Sequence, residues 1–462
     1  MQFQVTNEFL EKIHDAIHRN DVKFLSKQIH DLFPADIAEI LNQLDVDDAK
    51  KLYNFLDDQI VAEVLVELDE DIREKIFESL TSKEIAEKLI DHLPSDEAAD
   101  VIAELSDEKQ DEVLSHMEDS DQASDIVDLM NYDENSAGGL MQKELVSVNV
   151  NKNMLECVRE LRKHADHIED VYAVYVVDDD EKLVGIVPIK NVLTTSLREK
   201  ISNVYEKEII SVKTSMDAEE VAKTMEKYDL IFVPVVDGLG RLVGRITIDD
   251  VLDVIRKEET EDVQKMAGME ALQEPYMNIS TWGILKKRAG WLIVLFIGEC
   301  FTATAMSFFE NEIAKIVVLA LFVPLIISSG GNTGSQASTL IIRALALGEI
   351  TVNEWWKIFK REIRVGSILG LILGVVGFLR VAVWSSFVDL PHWEYVGLTV
   401  GISLVGVVLW GNLIGSLFPI ILKRAGLDPA VSSAPFVATF VDVTGLLIYF
   451  SAASIILRGI LL

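Results

Sequence analysis

The sequence predicts a multidomain fold: an acidic α-solenoid, a duplicated α/β unit and a charged linking helix, followed by a five-helix α transmembrane domain. Three observations predict it. Apolar residues recur at every twelfth position over 1–130, one β-α-β-β-α pattern then occurs twice, and five long apolar runs crowd into the last third.

The repeat comes first. Leu44, Leu56, Leu68, Leu80, Leu93, Leu105, Met117 and Leu129 follow one another at every twelfth position, with one longer step from Leu80 to Leu93. Between them lie short helical patterns such as Ile60–Leu65, punctuated by polar breaks such as Asp45–Asp48 and Pro94-Ser95-Asp96. Such a period suggests helical hairpins of about 24 residues stacked into a solenoid over 1–130, with the apolar stripe as core.

Residues 131–200 and 201–248 change character. Val171–Val177 and Ile231–Val236 are β-rich, and each leads through a charged turn to a glycine-centred strand, Leu183–Val187 and Leu242–Thr247. Gly185 of the first copy and Gly244 of the second stand at equivalent places. A helix from about Asp249 to Gly268, within a linking segment 249–275, then carries Asp249, Asp250, Asp253, Glu258, Glu259, Glu261 and Asp262. This segment reads as a strut or a gate.

In 281–462, apolar runs near 289–309, 313–330, 363–387, 395–422 and 430–457, the second continuing through a broken stretch to about 347, are long enough to cross about 30 Å of hydrocarbon. Basic clusters at Lys286–Arg288, Lys357–Arg364 and Lys423-Arg424 fall on one side if the N-terminus is cytoplasmic and the C-terminus outside. The loop Asp389–Glu394 then faces outward. A multi-pass protein of the cell membrane, in contact with lipid, is expected. Positions 1–30 lack the order of a signal peptide.

Charge divides along the same line. Residues 281–462 hold 10 acidic and 13 basic residues, leaving 65 acidic and 29 basic in 1–280, a charge of -36. Such a region repels nucleic acid and attracts cations. Cys157 and Cys300 support neither a disulfide framework nor a zinc site. No nucleophile-base constellation, P-loop or His/Asp metal cluster is apparent, so an enzyme is not expected.

Asp442 lies mid-span in the apolar stretch Val437–Tyr449 with no Lys or Arg in that half of the span. A carboxylate there costs roughly 2.5–3.5 kcal/mol on insertion scales. It must face water, a counter-charge or an ion, or be a protonated acid hydrogen-bonded between helices. Gly330–Gln336, following Pro324, reads as a break in the second span, where Asn332, Thr333 and Gln336 offer oxygens to a pore; a packing kink is the plainer reading. Gly366, Gly370 and Gly374, with Gly397 and Gly401, suit close helix packing. Glu299 is a second carboxylate within a span, and Asp428 either concentrates cations at the cytosolic mouth or caps the fifth helix.

The duplicated unit resembles a tandem CBS pair, its second copy matching best through Pro234–Asp237, Gly244, Thr247 and Asp250. The whole order of parts resembles the MgtE family of Mg2+ channels and transporters. Ala137-Gly138-Gly139-Leu140-Met141, Gly330–Gln336 and Asp442-Val443-Thr444-Gly445 resemble its junction, second-span and pore motifs.

The resemblance implies a homodimer with one central pore importing Mg2+. Asp442, helped by the Ala438 carbonyl, would bind the hydrated ion, which gives up water reluctantly. Ala434 stands where the family's pore mouth has a polar residue. The resemblance also implies regulatory Mg2+ bridging Glu63, Asp96 and Asp100 of the solenoid, Glu219 and Asp229 of the second CBS copy, and Asp250, Asp253, Glu258, Glu261 and Asp262 of the linking (plug) helix. ATP, which relatives can hold in the CBS pair, keeps only Thr247 and Asp250 here; Ala173, Leu230 and Lys190-Asn191 stand at the other positions. The alternatives are a sensor that conducts nothing and a CBS-regulated transporter of Co2+, Mn2+ or Ni2+.

Overall fold

The computed structural model describes residues 5–56, 58–165, 168, 170–272, 276, 279–310, 317–388 and 390–458; Asp389 of the expected outer loop lies outside them. The chain separates into two compact units, 1–258 and 259–462.

The first unit opens with ten short α-helices. These are α1 Asn7–His18, α2 Val22–Ile29, α3 Pro34–Asn42, α4 Val46–Tyr53, α5 Asp58–Val66, α6 Glu70–Phe77, α7 Ser82–Lys88, α8 Ser95–Ala103, α9 Asp107–His116 and α10 Ser120–Leu129. Each member of the apolar repeat sits at or just past the end of one helix, so one period is one helix plus its turn. The single longer step falls where a 3-10 turn, Ile90–His92, is inserted after α7. Polar breaks start helices because their side chains accept otherwise orphaned backbone N–H groups: Asp45 accepts from the Asp48 N–H, and Thr81 and Glu84 form a capping box. Leu68, Leu93, Leu105 and Leu129 are buried, with Leu44, Leu56, Leu80 and Met117 packed against the same core.

The duplicated unit forms two three-stranded sheets. In the first, β1 Ser147–Asn149 pairs parallel with β2 Ala173–Val177, which pairs antiparallel with β3 Leu183–Pro188. In the second, β4 Val212–Lys213, β5 Phe232–Val236 and β6 Leu242–Thr247 repeat the order. Helices α11 Met154–His164 and α12 Ile189–Thr194 belong to the first copy, and α13 Ala218–Lys227 to the second. The hairpin turns are equivalent. Glu181 takes a left-handed φ of 63° where the second copy has Gly240 at 84°. The turns also bond to each other, Leu183 N–H to the Gly240 carbonyl at 3.1 Å and Leu242 N–H to the Glu181 carbonyl at 3.1 Å, as two-fold related copies should.

The linking helix, α14, runs over Ile248–Met266 and stops at Gly268, whose φ of 75° favours glycine. Among the described residues, the second unit holds five helices long and apolar enough to cross a membrane: Thr281–Phe308, Val318–Ala346, Trp355–Ser385, Trp393–Arg424 and Ala434–Ile456. Half of the fourth span's apolar window is buried within the chain against 11% of the first's, which places the fourth at the centre and the first at the periphery.

The expected break in the second span is not there. Val318–Ala346 is one continuous helix through Pro324 and Gly330–Gln336. The glycines admit neighbouring backbones instead: a Cβ on Gly411 would collide with the Gly330 carbonyl oxygen, and one on Gly415 with the Gly334 oxygen. The packing reading of that stretch is the structural one. The third and fourth spans approach in the same way, with Gly374 and Gly401 each against the other's carbonyl.

Candidate functional site

Asp442 projects from the middle of the fifth span, half-buried, and the fifth span meets the second where side chains are smallest. A Cβ on Gly331 would lie 3.3 Å from the Ala438 Cβ and 3.4 Å from Asp442 Oδ1. Ala438 and Asp442 therefore share one helix face, a turn apart, against a bare stretch of backbone. Among the described residues no lysine or arginine pairs with Asp442. The first span joins this neighbourhood, because Gly298, next to Glu299, packs against Thr439 of the fifth span. Sequence reading singled out Glu299 but not this pairing, which requires the first and fifth spans to be neighbours.

Of the second-span candidates, Thr333 is buried and its hydroxyl donates to the Ser329 carbonyl at 2.8 Å. Asn332 and Gln336 are exposed on the isolated chain, and the Asn332 amide reaches Ser328 Oγ at 3.4 Å. The helices are pinned by buried polar bonds, among them the Tyr449 hydroxyl to the Leu319 carbonyl at 2.9 Å and the Ser338 hydroxyl to the Ser432 carbonyl at 2.8 Å.

Asp428 both caps and pairs. Its Oδ1 accepts from the Ala430 N–H at 2.8 Å, starting the turn before the fifth span, and its Oδ2 accepts from Lys265 Nζ at 2.7 Å. The same ammonium binds Glu261. Burial works against the Lys265 charge, but the two carboxylates outweigh it and hold its pKa above the ordinary lysine value. A protein cation thus stands between two of the predicted cation ligands, a pairing sequence reading missed. Asp262, the remaining predicted ligand in this unit, is half-buried.

In the first unit the fold brings Asp96 and Asp250 together. Asp96, in the first turn of α8, is 6% exposed, and its Oδ1 has no hydrogen-bond partner. Burial and then the Asp250 charge push its carboxyl well above the usual range. Asp250 is raised to about 6 by burial and by Asp249, opposed by its bonds from Thr247. Asp100, one turn along α8, still reaches solvent but is raised to about 6 by partial loss of water and then by Glu134 and Glu104. Neighbouring Ser95 donates its hydroxyl to Glu144 at 2.8 Å, which fixes the start of α8. Carboxyls crowded in this way need either protons or a cation, and one buried oxygen stands unmatched, so the donor set fits a hard divalent ion.

Of the other predicted ligands, Asp253 stands one turn from Asp250 on α14, and its charge also raises Asp250. Glu63 is exposed on α5; Glu219 pairs with Lys223 on α13; Asp229 is exposed with a left-handed φ of 52°; Asp253 pairs with Arg256 at 3.4 Å; Glu258 is half-buried. The nucleotide candidates Thr247 and Asp250 bond to each other, Thr247 Oγ1 to Asp250 Oδ2 at 2.9 Å, as the N-terminal cap of α14. One further correction concerns metal-ligating side chains. The sequence suggests no His/Asp cluster, yet the fold gathers His14, His18 and Asp48; the i,i+4 histidines were the one signal of it.

Comparison with known proteins accords with this architecture. The family model described as "Divalent cation transporter" matches residues 323–452, the MgtE intracellular N domain 32–135, and the CBS domain 137–198 and 201–257. The chain is similar to the "Magnesium transporter MgtE" of Thermus thermophilus, 37% identical with 73% of each chain covered, and to those of Enterococcus faecalis (33%, 72% of each) and Bacillus subtilis (30%, 72% of each). Among solved structures, "Crystal structure of the cytosolic domain of the Mg2+ channel MgtE in complex with ATP" matches at 28% identity and TM-score 0.49, over 53% of this chain and 99% of that one. A multi-pass helical membrane domain joined to a CBS pair and a helical N-terminal region, matched over most of its length by these relatives, makes this chain a member of the MgtE family of membrane ion transporters.

Proposed function

We propose that this chain conducts Mg2+ into the cytoplasm as a homodimer with one central pore, hydrated Mg2+ being bound in the membrane by Asp442 and the Ala438 carbonyl, and that cytosolic Mg2+ closes it. The observation that carries the reading is Asp442 itself: a half-buried carboxylate at membrane depth, against the bare backbone of Gly331, with no cationic partner among the described residues. Relatives named magnesium transporters support the choice of ion. Two copies of such a helix around an axis would set two carboxylates about one hydrated dication, an arrangement that favours +2 over +1 by charge. Glu299 adds negative potential from the first span. The polarity that fits has the N-terminal parts in the cytoplasm and the C-terminus outside.

The sensing half rests on Asp96 and Asp250, with Asp100 beside them. Mg2+ bridging these acids would favour the closed state, and its departure would leave like charges to push the solenoid from the CBS pair, a ligand-driven shift in populations. On this reading the chain divides into the solenoid, the two CBS copies, the plug helix and the pore domain, as the sequence pattern does. This reading does not require ATP, whose two candidate residues, Thr247 and Asp250, bond to each other at the start of α14. The test is whole-cell Mg2+ uptake with Asp442→Ala. Uptake should fall to background while the protein still reaches the membrane; normal uptake would refute both the pore assignment and conduction through this site.

A further inference from the structure

We propose that His14, His18 and Asp48 form a site for a borderline first-row dication such as Zn2+, separate from the oxygen-only sites for Mg2+, which clips α1 to α4. The two histidines are one turn apart on α1, and Asp48 stands in the first turn of α4. Three atoms converge. His14 Nε2 and His18 Nε2 are 3.1 Å apart, and they lie 3.5 Å and 3.4 Å from Asp48 Oδ2. Bonds of about 2.0–2.1 Å at a tetrahedral metal set neighbouring ligand atoms roughly 3.3–3.4 Å apart. The observed triangle has that size, so one ion can sit at bonding distance from all three atoms.

Asp48 supplies the independent sign of a ligand. Its side chain is 1% exposed, with Oδ1 taken by Lys51 at 2.9 Å, while Oδ2 is buried without a hydrogen-bond partner and faces the two imidazoles. A buried carboxylate oxygen left unmatched is costly, because it has given up water for nothing. A proton on one Nε2 can serve either the other ring at 3.1 Å or Oδ2 at 3.4–3.5 Å, whereas an ion between them serves all three lone pairs at once. The histidine side chains are about half exposed, at 47% and 52%, which leaves an open side for water as a fourth ligand. Two imidazole nitrogens and one carboxylate suit Zn2+, Co2+ or Ni2+, whereas Mg2+ takes oxygen donors and keeps its waters.

The test uses the full-length protein in detergent, tag removed and stripped of metal, titrated with Zn2+ in the presence of excess Mg2+. Binding is read by calorimetry, and Co2+ is substituted for its ligand-field spectrum. One Zn2+ per chain that Mg2+ does not displace is expected. His14→Ala and His18→Ala should each weaken it by at least the roughly tenfold to hundredfold that loss of an outer-shell partner alone costs. Both positions are half exposed, so the variants should unfold at the wild-type temperature in chelator, which separates lost binding from lost folding. Zn2+ affinity and stoichiometry unchanged in the double variant would overturn the proposal, as would a Co2+ spectrum identical in wild type and double variant.

Discussion

Replacing Asp96 by Asn should stabilise the metal-free protein and at the same time blunt its response to Mg2+. Asn keeps the shape of the side chain and removes its charge. The neighbouring Asp250, displaced chiefly by burial and then by Asp249, sets the scale of what a buried, crowded carboxylate costs in this pocket. Asp250 titrates near 6 in the folded chain against 3.8 for an unperturbed aspartate, a displacement of about two units at 1.36 kcal/mol each, or about 3 kcal/mol. Because the folded pKa is the higher one, folding favours the protonated acid. The penalty is absent below pH 3.8, grows as pH rises through 6, and is complete at neutral pH.

Asp96 is shifted in the same direction, by burial and by the Asp250 charge. Relieving part of this, about 1–3 kcal/mol, raises the melting temperature of a domain of this size by about 2–10 °C. The assay is thermal unfolding in chelator between pH 5 and 8, repeated with Mg2+. Wild type should gain stability on acidification and on adding Mg2+, and Asp96→Asn should start higher and gain less from both. A variant that melts below wild type in chelator at pH 7.5, or that keeps the full Mg2+ increment, would refute the reasoning.

Two other substitutions probe the second unit. Lys265→Met removes the ammonium that Asp428 and Glu261 share; losing a charge-assisted bond of about 1.5–3 kcal/mol should speed amide exchange in the last turns of α14 roughly tenfold or more. Unchanged exchange would mean that the contact of Gly268 with Ser433 and Pro435 suffices to hold that end. Gly415→Ala drives a methyl into the Gly334 carbonyl oxygen, so the second and fourth spans must separate. Overpacking of this kind costs about 1–3 kcal/mol or more and should lower thermal stability in detergent, and a variant as stable as wild type would show that the two backbones are not tightly apposed.

Periodic features were legible in the sequence because they are local. The apolar repeat marks helix ends, the duplication marks equivalent turns at Glu181 and Gly240, and the apolar runs mark the five spans, although the first and third helices start eight residues before theirs. What failed was the inference from composition to backbone at Gly330–Gln336. Glycine and proline weaken a helix in water, but in hydrocarbon an unpaired peptide group costs more than the helix does, and the glycines serve neighbouring backbones. Pairings between distant elements were also invisible. Lys265 and Asp428 are far apart in the chain, and Asp48 meets two histidines that are inconspicuous until α1 lies against α4. Asp442 was marked by its chemistry, whereas Asp96, Glu63, Asp229 and Asp253 look alike in sequence, and only the fold shows that Asp96 is buried while the other three are exposed.

The glycine contacts among the membrane helices also determine where that domain can yield. Where carbonyl oxygens of one helix rest on the bare Cα positions of another, at Gly330–Gly411, Gly334–Gly415 and Gly374–Gly401, sliding or rotation meets steep repulsion at once. The second, third and fourth spans therefore behave as one stiff body. Stiffness is least in the first span, which is little buried and meets the fifth through Gly298 and Thr439. Compliance is thus concentrated in the helix that carries Glu299. Thermal motion in this domain will change the distance between Glu299 and Asp442 before it changes anything in the packed centre.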